Sequence, residues 1–186
     1  MSTNRKYKSS VFTLFFNDAE KLIEVYNAIE HTGYAKDTAV TINTLEDALF
    51  MDRINDISFL LDGKLIVLLE HQSTINKNMP LRLLLYIGRL YEKLLDNRNI
   101  YRRKLIRIPK PDFIVLYNGD AEYPDRDELK LSDAFADVDI PNLLELTVNV
   151  YNINQGRSPD ILQKSRSLND YAMFTARVKA NKANGM

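Results

Sequence analysis

Three residues within a short stretch of this chain could together hold a divalent cation. Asp56 and Glu70 carry carboxylates, and Gln72 carries a side-chain amide. Carboxylate and amide oxygens are hard ligands of the kind that Mg²⁺ and Ca²⁺ prefer. A cation held by such ligands can activate a water molecule and neutralise the charge that builds on a phosphate. The chemistry that these residue types permit is metal-assisted cleavage of a phosphodiester bond.

A predicted β-hairpin would bring the two carboxylates together. The runs 56–61 and 64–70 are β-prone, and Asp62-Gly63 between them is typical of a tight hairpin turn. Because this turn lies midway between Asp56 and Glu70, we expect these residues at the same end of the ladder. The second run is continuously apolar before Glu70, which indicates a central strand buried on both faces.

Alternation along the second strand separates the residues at its end. Side chains in a strand point to opposite faces in turn, so Glu70 and Gln72 share a face and His71 points away. The backbone carbonyl of His71 lies between them and could also bind the metal. Spacing alone leaves a second interpretation open, because an acid at each end of a hairpin is commonly a solvated end or a cap.

The remaining pattern predicts an α/β domain with a mixed sheet. One apolar stripe at spacings of three and four predicts a first helix that ends near Gly33. A last helix is predicted to follow Ser158 as its cap. The predicted segments are a helix over 12–29, a strand within 39–45, the hairpin, a helix over 80–96, strands over 113–117 and 146–150, and a helix over 160–182.

Length and composition indicate one packed domain over residues 1–186. Its core is expected at about 11–152 and its C-terminal helix at about 159–182; the abrupt end at Met186 suggests that the natural chain is longer. The chain has no Cys, which excludes disulfides, thiolate nucleophiles and Cys-ligated zinc and fits a cytoplasmic protein. No apolar run is long enough to span a bilayer, so no membrane partner is expected.

Net charge is zero, but the charges are unevenly distributed. A zero sum weighs against a nucleic-acid binder, since phosphate contacts supply much of such affinity. Basic residues concentrate in 98–110 and acidic residues in 120–139. These segments could form a polarised surface or two solvated faces of opposite sign, and the sequence leaves both open.

Five short motifs carry a family resemblance. They read LLEHQST at 68–74, NMPLR at 78–82, LYNG at 116–119, YP at 123–124 and LSDAF at 131–135. With them, the chain resembles the Rpn family of recombination-promoting nucleases, also described as transposases. The spacing of Asp56, Glu70 and Gln72 is similar to the E-x-Q variant of the wider PD-(D/E)XK superfamily. The resemblance covers most of the chain, from the first helix to about Tyr171.

The resemblance implies a restriction-endonuclease-like core, a divalent cation (Mg²⁺, with Mn²⁺ as an alternative) and DNA as substrate. Carried over by position, Asp56 and Glu70 would be metal ligands. Gln72 stands where many superfamily members have Lys. An amide offers hydrogen bonds but no charge, so water activation would depend more on the metal.

Two further residues are additional candidates. Many superfamily members add an acid from the first helix, and Glu20 would take that place, with Glu24 as the second choice. A solvated helix face with Lys21 is the simpler interpretation of Glu20. Arg82 shares one helix face with Tyr86 and Arg89 and could bind a phosphate, although an ion-paired surface face is equally consistent.

Two hypotheses follow. The first is a Mg²⁺-dependent DNA endonuclease that acts in recombination, mobile elements or defence, with Asp56 and Glu70 on the metal and Gln72 orienting the water. The second is a nuclease-fold module that cleaves weakly or not at all and binds DNA or a protein partner. A homodimer is an option for a nuclease that cuts both strands, and no residue in the sequence decides it.

Overall fold

The computed structural model describes residues 11–43, 56–63, 65–95, 100–101, 103–136 and 144–183, without the side chains of residues 43, 56, 65–70 and 183. In these ranges, two helices, three strands, a helix, three strands and two further helices follow one another in a mixed α/β fold, as the sequence predicts. Within the described residues, no helix is both long and apolar enough to span a membrane.

One six-stranded mixed sheet forms the centre, in the order β1-β2-β3-β4-β6-β5. Strands β3, β4 and β6 run parallel, and β1, β2 and β5 run antiparallel to their neighbours. The strands are β1 (Val40–Asn43), β2 (Asp56–Leu61), β3 (Leu65–Gln72), β4 (Lys110–Tyr117), β5 (Arg126–Lys130) and β6 (Thr147–Asn152). The helices are α1 (residues 11–16), α2 (Ala19–Glu30), α3 (Met79–Leu94), α4 (Pro159–Leu162) and α5 (Arg166–Ala183), with a 3-10 turn at Leu131–Ala134.

The predicted hairpin is confirmed. Leu61 pairs with Leu65, and the turn between them has positive φ at Asp62 (52°) and Gly63 (65°). Asp and Gly tolerate this backbone conformation better than most residues. Strand β3 is central, since it pairs with β2 on one side and β4 on the other.

Alternation in β4 divides the core into two layers. Ile114 and Leu116 pack with α1, α2, α4 and α5, where Phe12 and Phe16 are fully buried. Phe113, Val115 and Tyr117 pack on the opposite face, against α3. A strand buried on both faces is the expected centre of a helix–sheet–helix sandwich.

The first predicted helix is in fact two helices. Asp18 interrupts it, and the Asp18 carboxylate accepts a hydrogen bond from the Lys21 amide at 3.0 Å, which caps the start of α2. Short polar side chains at this position satisfy the free amides of a first helical turn. The left-handed residue at the end of α2 is His31, with φ of 53°, rather than Gly33.

The last predicted helix is also divided. Helix α4 ends at Leu162 and α5 begins at Arg166. Ser158 lies at the N-cap position of α4, but its hydroxyl donates to the Asp125 carbonyl at 3.0 Å and does not cap the helix. The prediction of a single helix capped by Ser158 was therefore wrong.

One strand was not predicted from the sequence. Residues 126–130 form β5 at the edge of the sheet, although their charged composition does not predict a strand. Their exposure alternates along the strand, and only one neighbour, β6, pairs with them. Charged residues on an edge strand are a common protection against further pairing.

The end of α2 generates a stability prediction. Burial, followed by the nearby Asp112 carboxylate, raises the pKa of Glu30 above its usual range. Folding then favours the protonated form, so this contribution is complete at low pH and is lost as pH rises through the raised pKa. Glutamine stays neutral at every pH. We therefore predict that the unfolding free energy of Glu30→Gln, relative to that of the wild type, is higher at pH 7 than at pH 4.

Urea unfolding at both pH values measures this change. Glu92→Gln, an exposed glutamate on α3, is the control and should show a smaller pH-dependent difference. An equal difference for Glu30→Gln at both pH values would contradict the assignment.

Candidate functional site

The candidate residues meet at one end of the central strands. We call this end of the sheet the candidate edge, as distinct from the edge strands β1 and β5. Strands β3, β4 and β6 are parallel and end there, at Gln72, Tyr117 and Asn152, and the antiparallel β2 begins there at Asp56. The backbone register pairs Asp56 directly with Glu70. Opposite Cα atoms in an antiparallel ladder are about 4.5–5.5 Å apart. The predicted register is therefore present, although the side chains of Asp56 and Glu70 lie outside the described set.

Gln72 is held between β3 and the first turn of α3. It is 9% exposed, and its Nε2 lies 2.6 Å from the Sδ atom of Met79. The Nη1 atom of Arg82 lies 3.1 Å from the same sulfur. Met79 thus brings Gln72 and Arg82 to one place, on the face of the sheet that α3 covers. A thioether is only a weak acceptor, so this contact positions the amide of Gln72 without strong hydrogen bonding.

His71 lies on the other side of β3. Its ring is 3% exposed, stacks on Phe12 at 5.3 Å and meets the edge of Tyr171 at 5.5 Å. The prediction that this side chain points away from the face of Gln72 is confirmed. The ring is packed in the aromatic core, which leaves the backbone carbonyl as the part of His71 that could serve the candidate site.

The loops after β3 and β4 touch behind Gln72. The amide of Asn118 donates to the carbonyl of Gln72 at 2.9 Å, which extends the ladder past the end of β4. A Cβ atom on Gly119 would lie 2.6 Å from the Ser73 carbonyl and 2.4 Å from the Tyr117 hydroxyl. Only glycine fits at this contact, so the Asn118-Gly119 turn fixes the loop that follows the candidate triplet.

Lys179 of α5 fastens this turn. Its ammonium contacts the carbonyls of Asn118 (2.5 Å) and Gly119 (3.0 Å), the Oδ1 atom of Asn154 (3.0 Å) and the Oδ1 atom of Asp120 (2.9 Å). Four oxygen acceptors satisfy the three donors of an ammonium group. Sequence reasoning missed this role, because Lys179 is distant in the chain and has no local motif.

Asn118 is a second residue that sequence reasoning treated only as part of a turn. Its side chain is completely buried, and neither its Oδ1 nor its Nδ2 has a hydrogen-bond partner among the described residues. An unsatisfied buried polar group costs about 1–3 kcal/mol. The unsatisfied side-chain amide of Asn118, next to the backbone of Gln72, therefore lowers the stability of the folded protein.

The two acids proposed from the first helix lie in the layer opposite to Met79. Glu24 accepts hydrogen bonds from the Ser165 hydroxyl and the Ser167 amide, both at 2.8 Å, and so caps the start of α5. Glu20 is exposed on the first turn of α2.

Asn76 orders the loop before α3, since its Oδ1 accepts a hydrogen bond from the Asn78 amide at 3.0 Å.

The acidic segment near this edge is partly neutralised by internal contacts. Asp120 pairs with Lys179 at 2.9 Å, and Asp125 pairs with Arg157 at 3.4 Å. Asp127 accepts a hydrogen bond from the Tyr123 hydroxyl at 2.5 Å; burial, then this bond and the Asp127 charge raise the pKa of Tyr123. The acids of this segment are therefore less repulsive to a phosphate than their number suggests.

The described side chains contain no rival metal cluster. Among the described side chains, no three His, Cys, Asp or Glu residues are grouped so that they could hold a metal ion. The fold and site thus define a mixed α/β protein with a pair of acidic residues brought into register at one sheet edge.

Comparison with known proteins adds the family. The model of the family described as "Putative transposase, YhgA-like" matches residues 43–179, which is more than half of the chain. The chain belongs to this family. The match extends from β1 to Lys179 and so includes the whole candidate edge. No curated protein and no solved structure matches.

The close approach at Gly119 generates a second prediction. Gly119→Ala should destabilise the protein by about 1–3 kcal/mol, because the new methyl group overpacks against Ser73 and Tyr117. Gly88→Ala on α3 is the matched control: nothing lies within 4 Å of its added Cβ, and alanine favours a helix by about 1 kcal/mol. Denaturant midpoints measure both. Equal effects of the two substitutions would contradict the tight contact.

Proposed function

We propose that this protein is a divalent-metal-dependent DNA endonuclease with a PD-(D/E)XK core of the Rpn type. It would act in the cytoplasm, in recombination, mobile-element biology or defence. The observation that carries the proposal is the register that sets Asp56 opposite Glu70, two residues before Gln72. The family match supports it, because transposase chemistry acts on DNA.

The residues at this edge fit a hard divalent cation. Asp56 and Glu70 are the proposed carboxylate ligands, and the carbonyl of His71 is the proposed third ligand from the protein. This donor set contains only oxygen, which suits Mg²⁺ and also Mn²⁺. When bound, the cation would act as a Lewis acid that polarises the phosphate and promotes ionisation of water at neutral pH.

The protein's own groups would orient the reactants. The Gln72 amide, held at Met79, can donate and accept hydrogen bonds and so align the attacking water. Arg82 lies at the same sulfur, and a guanidinium can bind two oxygens of a phosphate at once. Asp56 and Glu70 would fix the cation relative to both groups, so that the water and the phosphorus are held in line.

A second candidate function has its own support. Gln72 supplies no positive charge where many members of the superfamily have Lys, and the net charge of the chain is zero. Both features would suit a nuclease-fold module that cleaves weakly or not at all and binds DNA or a protein partner.

Plasmid cleavage tests the proposal. Nicking in Mg²⁺ or Mn²⁺ should disappear with EDTA and should fall by at least about 100-fold in Asp56→Asn and in Glu70→Gln, since even indirect ligand contacts give 10–100-fold effects. Glu92→Gln, which changes an exposed acid on α3, is the matched control and should cleave like the wild type.

The outcomes separate the two functions. Cleavage that survives in folded Asp56→Asn and Glu70→Gln would overturn the proposed ligands. Absence of cleavage by the folded wild type in either cation, with DNA binding retained, would favour the binding module. Circular dichroism of each variant shows whether a loss reflects folding.

A further inference from the structure

The connector between α3 and β4 carries an exposed basic and apolar surface. We call residues 100–101 and 103–108 the basic connector. Tyr101 is 87% exposed and Leu105 is 76% exposed. Arg103, Lys104 and Arg107 are exposed beside them. Exposed apolar side chains that are contiguous and rimmed by polar residues can mark an interaction site.

The three cations differ from Arg157 and Lys179 in their charge partners. Arg157 and Lys179 each pair with an aspartate. In the part of the chain that the structure describes, Arg103, Lys104 and Arg107 form no ion pair. The sequence adds Arg98 and Arg102 to the same segment. In a chain of zero net charge, the described cations Arg103, Lys104 and Arg107 thus place positive charge on one exposed segment.

The end of the basic connector is fixed to the sheet. The Tyr91 hydroxyl of α3 donates to the Pro109 carbonyl at 2.6 Å. Lys110 then begins β4 and pairs with Leu65. The connector is thus a positioned element whose cations face solvent.

The register gives the distance from the end of the basic connector to the candidate site. Leu65 pairs with Lys110 at one end of the β3–β4 ladder, and Gln72 pairs with Tyr117 at the other. Seven residues at about 3.3 Å each separate these ends by about 23 Å. Base pairs of B-DNA rise about 3.4 Å each, so this distance corresponds to about seven base pairs.

We propose that the basic connector is a second DNA contact that binds the phosphate backbone about seven base pairs from the scissile phosphate. This inference rests on the proposed function for its choice of DNA. Arg103, Lys104 and Arg107 would neutralise phosphates, and Tyr101 would pack on the sugar edge. Zero net charge is then compatible with DNA binding, because the positive charge is local.

Binding of duplexes with different flank lengths tests this contact. The duplexes extend from 4 to 16 base pairs beyond the cleavage position on one side, and binding is measured in Ca²⁺ at several salt concentrations. Wild-type affinity should rise about tenfold once the flank passes about seven base pairs, as phosphates are neutralised and counterions released. The triple variant Arg103→Gln, Lys104→Gln, Arg107→Gln should lose this rise.

The salt dependence sharpens the result. Loss of three phosphate contacts should reduce the slope of log K against log salt by about 2.7. The charge-conserving variant Arg103→Lys, Lys104→Arg, Arg107→Lys is the matched control and should keep the wild-type slope. An unchanged slope and unchanged flank dependence in the triple Gln variant would overturn the proposal.

Two further comparisons distinguish DNA from a membrane as the partner, and this inference from the proposed metal ligands. Wild-type binding to vesicles rich in phosphatidylglycerol, lost in the triple Gln variant without any change in DNA binding, would overturn DNA as the partner. The readout is binding in Ca²⁺, and cleavage serves only to define the position from which the flank is counted. The triple Gln variant could lose flank-dependent binding while Asp56→Asn and Glu70→Gln still cleave. That result would support this inference and contradict only the proposed metal ligands.

Discussion

Strand β3 hydrogen-bonds to an antiparallel neighbour on one side and to a parallel neighbour on the other. Because of this mixed pairing, the start of β2 and the ends of β3 and β4 lie at the same edge of the sheet. The polar residues at these strand ends, Asp56, Glu70 and Gln72, therefore meet the loop at 118–119 that follows β4. Helix α3 covers one face of this edge through Met79, and α5 secures its outer loop through Lys179.

The proposed chemistry depends on how firmly that edge is held. The contact of Gly119 with Ser73 and the four oxygens around Lys179 fix the loops that flank Gln72. A site of fixed oxygen donors suits a cation that tolerates little distortion of its coordination, as Mg²⁺ does. The end of the basic connector lies at the opposite end of the same ladder.

Local patterns predicted the parts of the fold that local chemistry determines. Asp62-Gly63 fixed the turn and hence the pairing of Asp56 with Glu70, and alternation placed His71 away from Gln72. Residues whose role depends on distant partners were not predictable. Glu24 caps a helix more than a hundred residues further along, and Lys179 and Asn118 meet only in the folded sheet. The charged strand β5 exists because β6 offers a free edge, which its own composition does not reveal.

The most direct test of the central claim is a crystal of the protein soaked in Mn²⁺ and measured for anomalous scattering. We expect a manganese peak at the open end of the hairpin, about 2.1 Å from carboxylate oxygens of Asp56 and Glu70 and from the His71 carbonyl. The peak should be absent in Glu70→Gln. A peak held by other residues, or none at saturating Mn²⁺, would contradict the assignment of this edge as a metal site.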